Sequence, residues 1–311
     1  MNYTLQQLLI YQKVVETKSI TKASEELNLT QPAVSIQIRN FQQQFDIPLI
    51  EIIGKRLFVT EFGHEIAKSA EEIIQQIQQI NAQSSAFKGL LIGTLKLSVV
   101  STAKYVLPYF LADFIKLHPA IELKIEVSNR EQVLKSQQEN KVDFSMVSLH
   151  FANLSYDYIP LFKNELYLVG NPENAKKFPD LNKNFHFDQL PLIFREEGSG
   201  TRKVMENFLL EHQIKVKKKL ELSSNEAVKQ AVIAGLGYSI MPLIGIKNEI
   251  EFGKLCIIPQ KNLPISTDWM FLWQKEKKLS PVASAFLTFL RSHSEEIIQK
   301  NFKPSTHEKV L

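Results

Sequence analysis

The sequence predicts an α/β protein with an N-terminal all-helical, winged part: a winged helix-turn-helix, a long linker helix, then two α/β lobes. Three observations predict it. Residues 20–45 pattern as two short helices joined by a tight turn, and a proline-free helical pattern runs from Thr60 to about Phe87. Beyond that, strand and helix signals alternate in two successive sets, as they do in βαβ architectures.

The head begins with a helix over about Leu5 to Glu16, with Leu5, Leu8, Leu9, Tyr11, Val14 and Val15 as its apolar faces. The first helix of the pair spans Thr21 to Leu27, with Ala23 small where a second helix must come close, and Asn28 and Leu29 make the turn. Thr30 suits an N-cap and Pro32 the first turn of the next helix, where its missing N–H costs nothing. Ala33, Val34, Ile38 and Phe41 then form an inward stripe. Gln31, Ser35, Gln37 and Arg39 are left facing outward, types that can hydrogen-bond base edges or pair with phosphate. That makes the pair a candidate DNA-reading element, with a plain surface helix pair as the bland alternative. Pro48 ends the helix, and the β-branched run broken at Gly54-Lys55 reads as a two-stranded wing. Lys55 and Arg56 at its tip are placed either to touch phosphate or to form a solvated turn.

In the long helix Ile66, Ala70, Ile73, Ile77 and Ile80 recur every three or four residues, with Ala67 and Ile74 widening the stripe. At 1.5 Å per residue it extends about 40 Å, too long for the head to cover, so its stripe asks for a partner helix, most simply that of a second copy. Gly89 and Gly93 mark a joint. The first α/β set is strand Thr94–Ser98, helix Tyr105–His118, strand Glu122–Val127, helix Glu131–Asn140 and strand Phe144–Val147. The second has strands at Leu166–Gly170, Leu192–Phe194, Leu220–Leu222 and Tyr238–Met241, with helices Thr201–His212 and Asn225–Ala234. Trp269–Trp273 adds a strand and Pro281–Arg291 a closing helix. The expected division is residues 1–60 for the head, 61–90 for the linker, and 91–300 for the lobes, with a tail over 301–311. Lobe I takes about 91–163 and 266–300, and lobe II about 164–265. Parallel sheets are expected, with a cleft between the lobes at the carboxyl ends of the strands.

Composition is that of an ordinary globular protein, 44% apolar and 23% charged, which excludes disordered and collagen-like classes. The first ten residues carry neither a basic n-region nor a long apolar run, and Cys256 is the single cysteine. A cytoplasmic protein without disulfides is expected. The net charge of +4 is small for 311 residues. One copy would release few counterions from DNA, so useful affinity requires two copies on two half-sites.

The chemistry outside the head gathers at Glu197-Gly-Ser-Gly-Thr-Arg202. Its glycines allow a tight turn into a helix whose free amides suit an anion, with Ser199, Gly200, Thr201 and Arg202 in reach. A capped strand-to-helix loop is the alternative. Ser101-Thr102 offers a similar loop in the other lobe, and Asn129 and Asn225 either orient ligand hydroxyls or cap their helices. Two hydroxyl-bearing loops on one cleft suit a small, anionic metabolite. Catalysis lacks support: the histidines are scattered, no nucleophile elbow or Walker loop exists, and Gly198-Ser-Gly200 lacks a third dinucleotide glycine. No metal is expected, and Cys256 reads as an inert core thiol.

The N-terminal stretch resembles the LysR-type transcriptional regulators through Ile20-Thr-Lys-Ala-Ser24, Leu29-Thr-Gln-Pro-Ala-Val-Ser35, Pro48-Leu-Ile-Glu51 and Val59-Thr-Glu-Phe-Gly63. The second half is similar to one branch, the regulators of carbon-fixation operons. The matching stretches are Ser101-Thr-Ala-Lys-Tyr105, Ser128-Asn-Arg-Glu131, Arg195 to Arg202, Ser224 to Gly237 and Lys278-Leu-Ser-Pro281. The resemblance, from about Leu5 to Leu290, implies a periplasmic-binding-protein-like effector domain, a homodimer or homotetramer on promoter DNA, and no enzyme activity or resident cofactor. It implies an effector from central metabolism, a phosphorylated sugar or a reduced nicotinamide nucleotide. Ile36, Ile52 and Phe58 stand where the family often has basic residues, which weakens the expected phosphate contacts. The competing reading is a two-lobed small-molecule-binding protein or cleft enzyme carrying an unrelated helical N-terminus.

Overall fold

A computed structural model describes residues 3–54, 56–86, 91–149, 155–176 and 190–302. The chain divides into two compact units, 1–90 and 91–311.

In the first unit, α1 (Leu5–Thr17) opens with a capping box in which Thr4 and Gln7 each satisfy the other's backbone N–H. Ser19 caps α2 (Ile20–Glu26), and Asn28 takes a left-handed φ of 54° in the turn, a conformation asparagine tolerates better than most residues. Thr30 caps α3 (Gln31–Gln42), accepting from the Ala33 N–H, with Pro32 in the first turn. Val34, Ile38 and Phe41 of α3 pack with Tyr11, Val14 and the fully buried Ala23. The wing is β1 (Ile50–Ile53) antiparallel to β2 (Arg56–Val59), with Ile53 opposite Arg56. The Gln42 Oε1 accepts from both the Leu49 and Ile50 N–H groups, joining the recognition helix to the wing. The Tyr11 hydroxyl donates to the Gly63 carbonyl at 2.8 Å. A side chain at Gly63 would collide with the Leu49 carbonyl, so only glycine allows this approach.

The long helix α4 (Glu61–Ala86) agrees with the sequence in extent, but its stripe divides. Ile66, Ala67, Ala70 and Ile74 belong to the core of their own unit, whereas Ile73 and Ile80 stay exposed. The part asking for a partner is therefore narrower than the periodicity alone suggests.

The second unit runs β3 (Gly93–Val100), a 3-10 turn (Ser101–Tyr105), α5 (Leu107–Leu117), β4 (Ile121–Ser128), α6 (Arg130–Gln138) and β5 (Phe144–Leu149). The long strand β6 (Tyr156–Gly170) leads to α7 (Pro172–Ala175), β7 (Pro191–Arg195), α8 (Gly200–Glu211), β8 (Lys217–Leu222), α9 (Asn225–Ile233) and β9 (Ser239–Pro242). After α10 (Lys247–Glu251) and β10 (Cys256–Ile257), β11 (Ile265–Gln274) returns, and α11 (Pro281–Asn301) closes the unit.

The principal sheet is ordered β10-β6-β11-β5-β3-β4, with β9 also on β6, while β7 and β8 pair in parallel. The expectation of purely parallel sheets is corrected here. β3 is parallel to β4 and β5, but β11 is antiparallel to both β5 and β6. Two long strands thus carry the chain out of one lobe and back. One core gathers Leu97, Phe144, Trp269 and Phe286; further cores gather Leu168 with Phe194 and Val169 with Val232. The closing helix extends ten residues past Arg291 to Asn301, with Ile297 buried in the first of these cores.

Candidate functional site

On the recognition helix α3, Gln31, Pro32 and Arg39 are exposed, as is the capping Thr30, whereas Ser35 and Gln37 sit half-buried on the flanks. The middle of the outward face is Ile36. Arg39 and the wing's Arg56 have no ion-pair partner among the described residues, while Lys13 is held by Glu16 and Glu26. Lys55 lies outside the described residues.

A cleft opens to solvent in the second unit. Ser101, Thr102, Asn129, Ser199, Gly200, Thr201 and Asn225 all line it, brought from four separate segments. Helices α6 and α8 meet here at their first turns: Asn129 caps one and Ser199 the other, and the Glu131 N–H donates to the Gly198 carbonyl. Two positive helix ends therefore face one space. The cap of α9 is Ser224, not Asn225. Asn225 instead donates to the Ser101 hydroxyl at 3.4 Å, and its buried Oδ1 has no hydrogen-bond partner among the described residues.

Arg202 does not line the cleft, which corrects the reading that put it in reach of a ligand. Its guanidinium pairs with Glu206 at 2.6 Å and Glu221 at 3.0 Å, the first being its i+4 neighbour on the helix. Two other arginines occupy the cleft. Arg195, 5% exposed, pairs with Glu196 and reaches the Ser101 hydroxyl at 3.4 Å. Arg130 is half-buried with no ion-pair partner among the described residues, and burial pulls its guanidinium below the ordinary value. The cleft is also lined by Ser148, Asn164 and Thr267, from β5, β6 and β11. The Asn164 amide donates to the Ser148 and Thr267 hydroxyls, and its buried Oδ1 has no hydrogen-bond partner among the described residues. Sequence reasoning missed these five residues. Only Arg195 and Arg130, each inside a stretch that carries the family resemblance, gave any signal.

Beside the cleft, Tyr105 and Lys104 of the 3-10 turn meet Glu226 of α9, which also pairs with the buried Lys229. Cys256 is half-buried, its thiol raised by burial. Among the described residues no three His, Cys, Asp or Glu side chains gather, and no helix is long and apolar enough to cross a membrane.

Two family patterns cover most of the chain: "Bacterial regulatory helix-turn-helix protein, lysR family" over residues 5–64, and "LysR substrate binding domain" over 88–295. The chain belongs to the LysR family of transcriptional regulators. This LysR-family chain is 34% identical over 299 residues to the HTH-type transcriptional activator CmpR of Synechocystis sp., covering 95% of the chain and 97% of CmpR. It is 34% identical over 292 residues to the HTH-type transcriptional regulator CbbR of Rhodospirillum rubrum, covering 93% and 96%. A RuBisCO operon transcriptional regulator of Allochromatium vinosum is 32% identical over 294 residues, covering 94% and 97%. Among solved structures, the regulatory domain of Synechocystis CcmR in complex with 2-PG superposes with a TM-score of 0.59 at 32% identity, covering 65% of this chain and 98% of that one. Full-length CbnR with its target DNA gives a TM-score of 0.63 at 17% identity, covering 93% and 99%, and shares the fold. The competing reading, an unrelated helical N-terminus on a binding protein or enzyme, is thereby set aside: the head and the lobes match one family of DNA-binding regulators.

Proposed function

We propose that this LysR-family regulator acts on carbon-fixation genes and that its cleft takes a small phosphorylated carboxylate as effector. One observation carries the ligand class: Arg130, a desolvated cation with no acidic partner among the described residues, stands where the α6 and α8 N-termini converge. A desolvated guanidinium gains from a bound anion, and the orphaned Oδ1 atoms of Asn164 and Asn225 suit ligand hydroxyls. The relatives named for RuBisCO operons, and the 2-PG bound by CcmR, support the same class. Ser101, Thr102, Asn129, Ser199, Gly200, Thr201 and Asn225 are its polar shell.

Promoter DNA is read in the cytoplasm by Thr30, Gln31, Pro32, Ser35, Gln37 and Arg39, with Lys55 and Arg56 on phosphate. The exposed Ile73 and Ile80 of α4 pair two copies as a dimer or as half of a tetramer. The effector need only bind two arrangements unequally, by about 1–3 kcal/mol, to change operator occupancy.

The test is calorimetry on the full chain with phosphoglycolate, phosphoglycerate, ribose 5-phosphate and NADPH, with gel shifts on promoter DNA. Saturable binding of the acids that alters the shifted complex is the expected result. Binding of NADPH alone, or of none of the four, would overturn the ligand class. Unchanged promoter affinity in Arg39→Ala and Gln31→Ala would overturn the assigned reading face.

A further inference from the structure

The outward face of α3 has an apolar centre. Val34, Ile38 and Phe41 are buried, so the opposite side runs through Pro32, Ile36, Arg39 and Asn40, all exposed, with Ile36 at 46%. Arg39, three residues on from Ile36, is a cation with no ion-pair partner among the described residues, and the half-buried Ser35 and Gln37 flank the face. Isolated exposed isoleucines are common on protein surfaces and need no explanation in themselves. This one differs in place: it is the middle of the surface that, on the reading proposed above, lies against base edges.

A branched hydrocarbon there can neither donate nor accept a hydrogen bond. Set over the O6 and N7 of guanine, the amino group of cytosine or that of adenine, it strips water from a polar edge and returns nothing. The C5 methyl of thymine is the one apolar feature of the major groove that it can cover with gain. We infer that Ile36 reads a thymine methyl in each half-site, and that this residue gives the protein a methyl-dependent preference at one base pair. The inference rests on α3 being the reading helix.

The experiment uses the full chain and duplexes that it selects from a random pool. Each thymine of the selected site is replaced singly by deoxyuridine, which keeps pairing and removes only the methyl, and affinities are measured for wild type and Ile36→Ala. At one thymine per half-site the replacement should weaken wild type by about fourfold, the value of one buried methyl-sized group, and leave Ile36→Ala unchanged. Ile36→Arg should move the selected base at that pair from thymine to guanine. A selected site at which no deoxyuridine effect disappears in Ile36→Ala, or at which Ile36→Arg still selects thymine, overturns the inference and leaves the DNA-reading head standing. If the wild-type chain selects no sequence at all, the reading head falls, and this inference with it.

Discussion

The Arg195 guanidinium, carried by β7, lies 3.4 Å from the Ser101 hydroxyl at the end of β3, and Asn225 reaches the same oxygen from α9 at the same distance. One hydroxyl thus joins the first strand of one lobe to two segments of the other. Ser101→Ala removes the shared acceptor and leaves the buried Asn225 amide with an unpaired donor. Losing about 1 kcal/mol of hydrogen bonding should weaken phosphoglycolate binding by about fivefold, read by calorimetry. Unaltered affinity would show that this junction does not support the ligand site.

Arg130→Gln should act in opposite directions on the free and the bound protein. Removing a desolvated cation that has no ion-pair partner among the described residues leaves the melting temperature of the free chain unchanged or raised. The bound anion loses a charge-assisted contact of about 2 kcal/mol, so effector affinity should fall by about thirtyfold. A destabilised free protein with full affinity would place Arg130 in the scaffold instead.

Gly198 has φ +82°, and a Cβ there would come within 2.8 Å of the Glu131 carboxylate and 3.1 Å of the Asn129 amide. Gly198→Ala should cost about 1–3 kcal/mol from the left-handed backbone alone. It should also push the α8 loop off α6, so thermal stability and effector affinity should fall together.

Asp143 accepts from the Lys96 N–H at 2.9 Å and lies 3.8 Å from the Lys277 ammonium. Burial nevertheless lifts its carboxyl above the ordinary value, outweighing these two partners. The folded form therefore binds this proton more readily than the unfolded chain does. Its contribution is fully present below the ordinary carboxylate value and is lost as pH rises through the raised one. Wild type should gain melting temperature relative to Asp143→Asn on acidification from neutral pH, and parallel melting curves across that range would refute the linkage.

Gln42→Ala leaves the Leu49 and Ile50 N–H groups without their shared acceptor at buried positions. A buried donor left unpaired costs about 1–3 kcal/mol. Hydrogen exchange at those two amides should accelerate by about tenfold or more, and promoter affinity should drop with it.

How much of this was legible depended on whether the signal was local. The start of α3 could be read because Thr30 and Pro32 act within one turn of themselves. The first ten residues of β6 could not: Tyr156 to Glu165 show no clean alternation, and they are strand because β11 pairs with them about a hundred residues away. The Gly-Ser-Gly loop reached the cleft as its composition suggests. Arg202 misled because its i+4 partner Glu206 was a local clue left unused, and the position of Glu221 depends on the fold. Arg130 looked like any residue opening a helix, and only the approach of α8 desolvates it.

The paired β6 and β11 run through both lobes, with their register slipping between Asp268 and Met270, beside the Ser148, Asn164 and Thr267 cluster. Such a ribbon behaves as a torsion bar: its ladder resists stretching and hinging, but it yields to rotation about its own axis. An occupant of the cleft would therefore act on the two lobes through the twist of the ribbon that joins them.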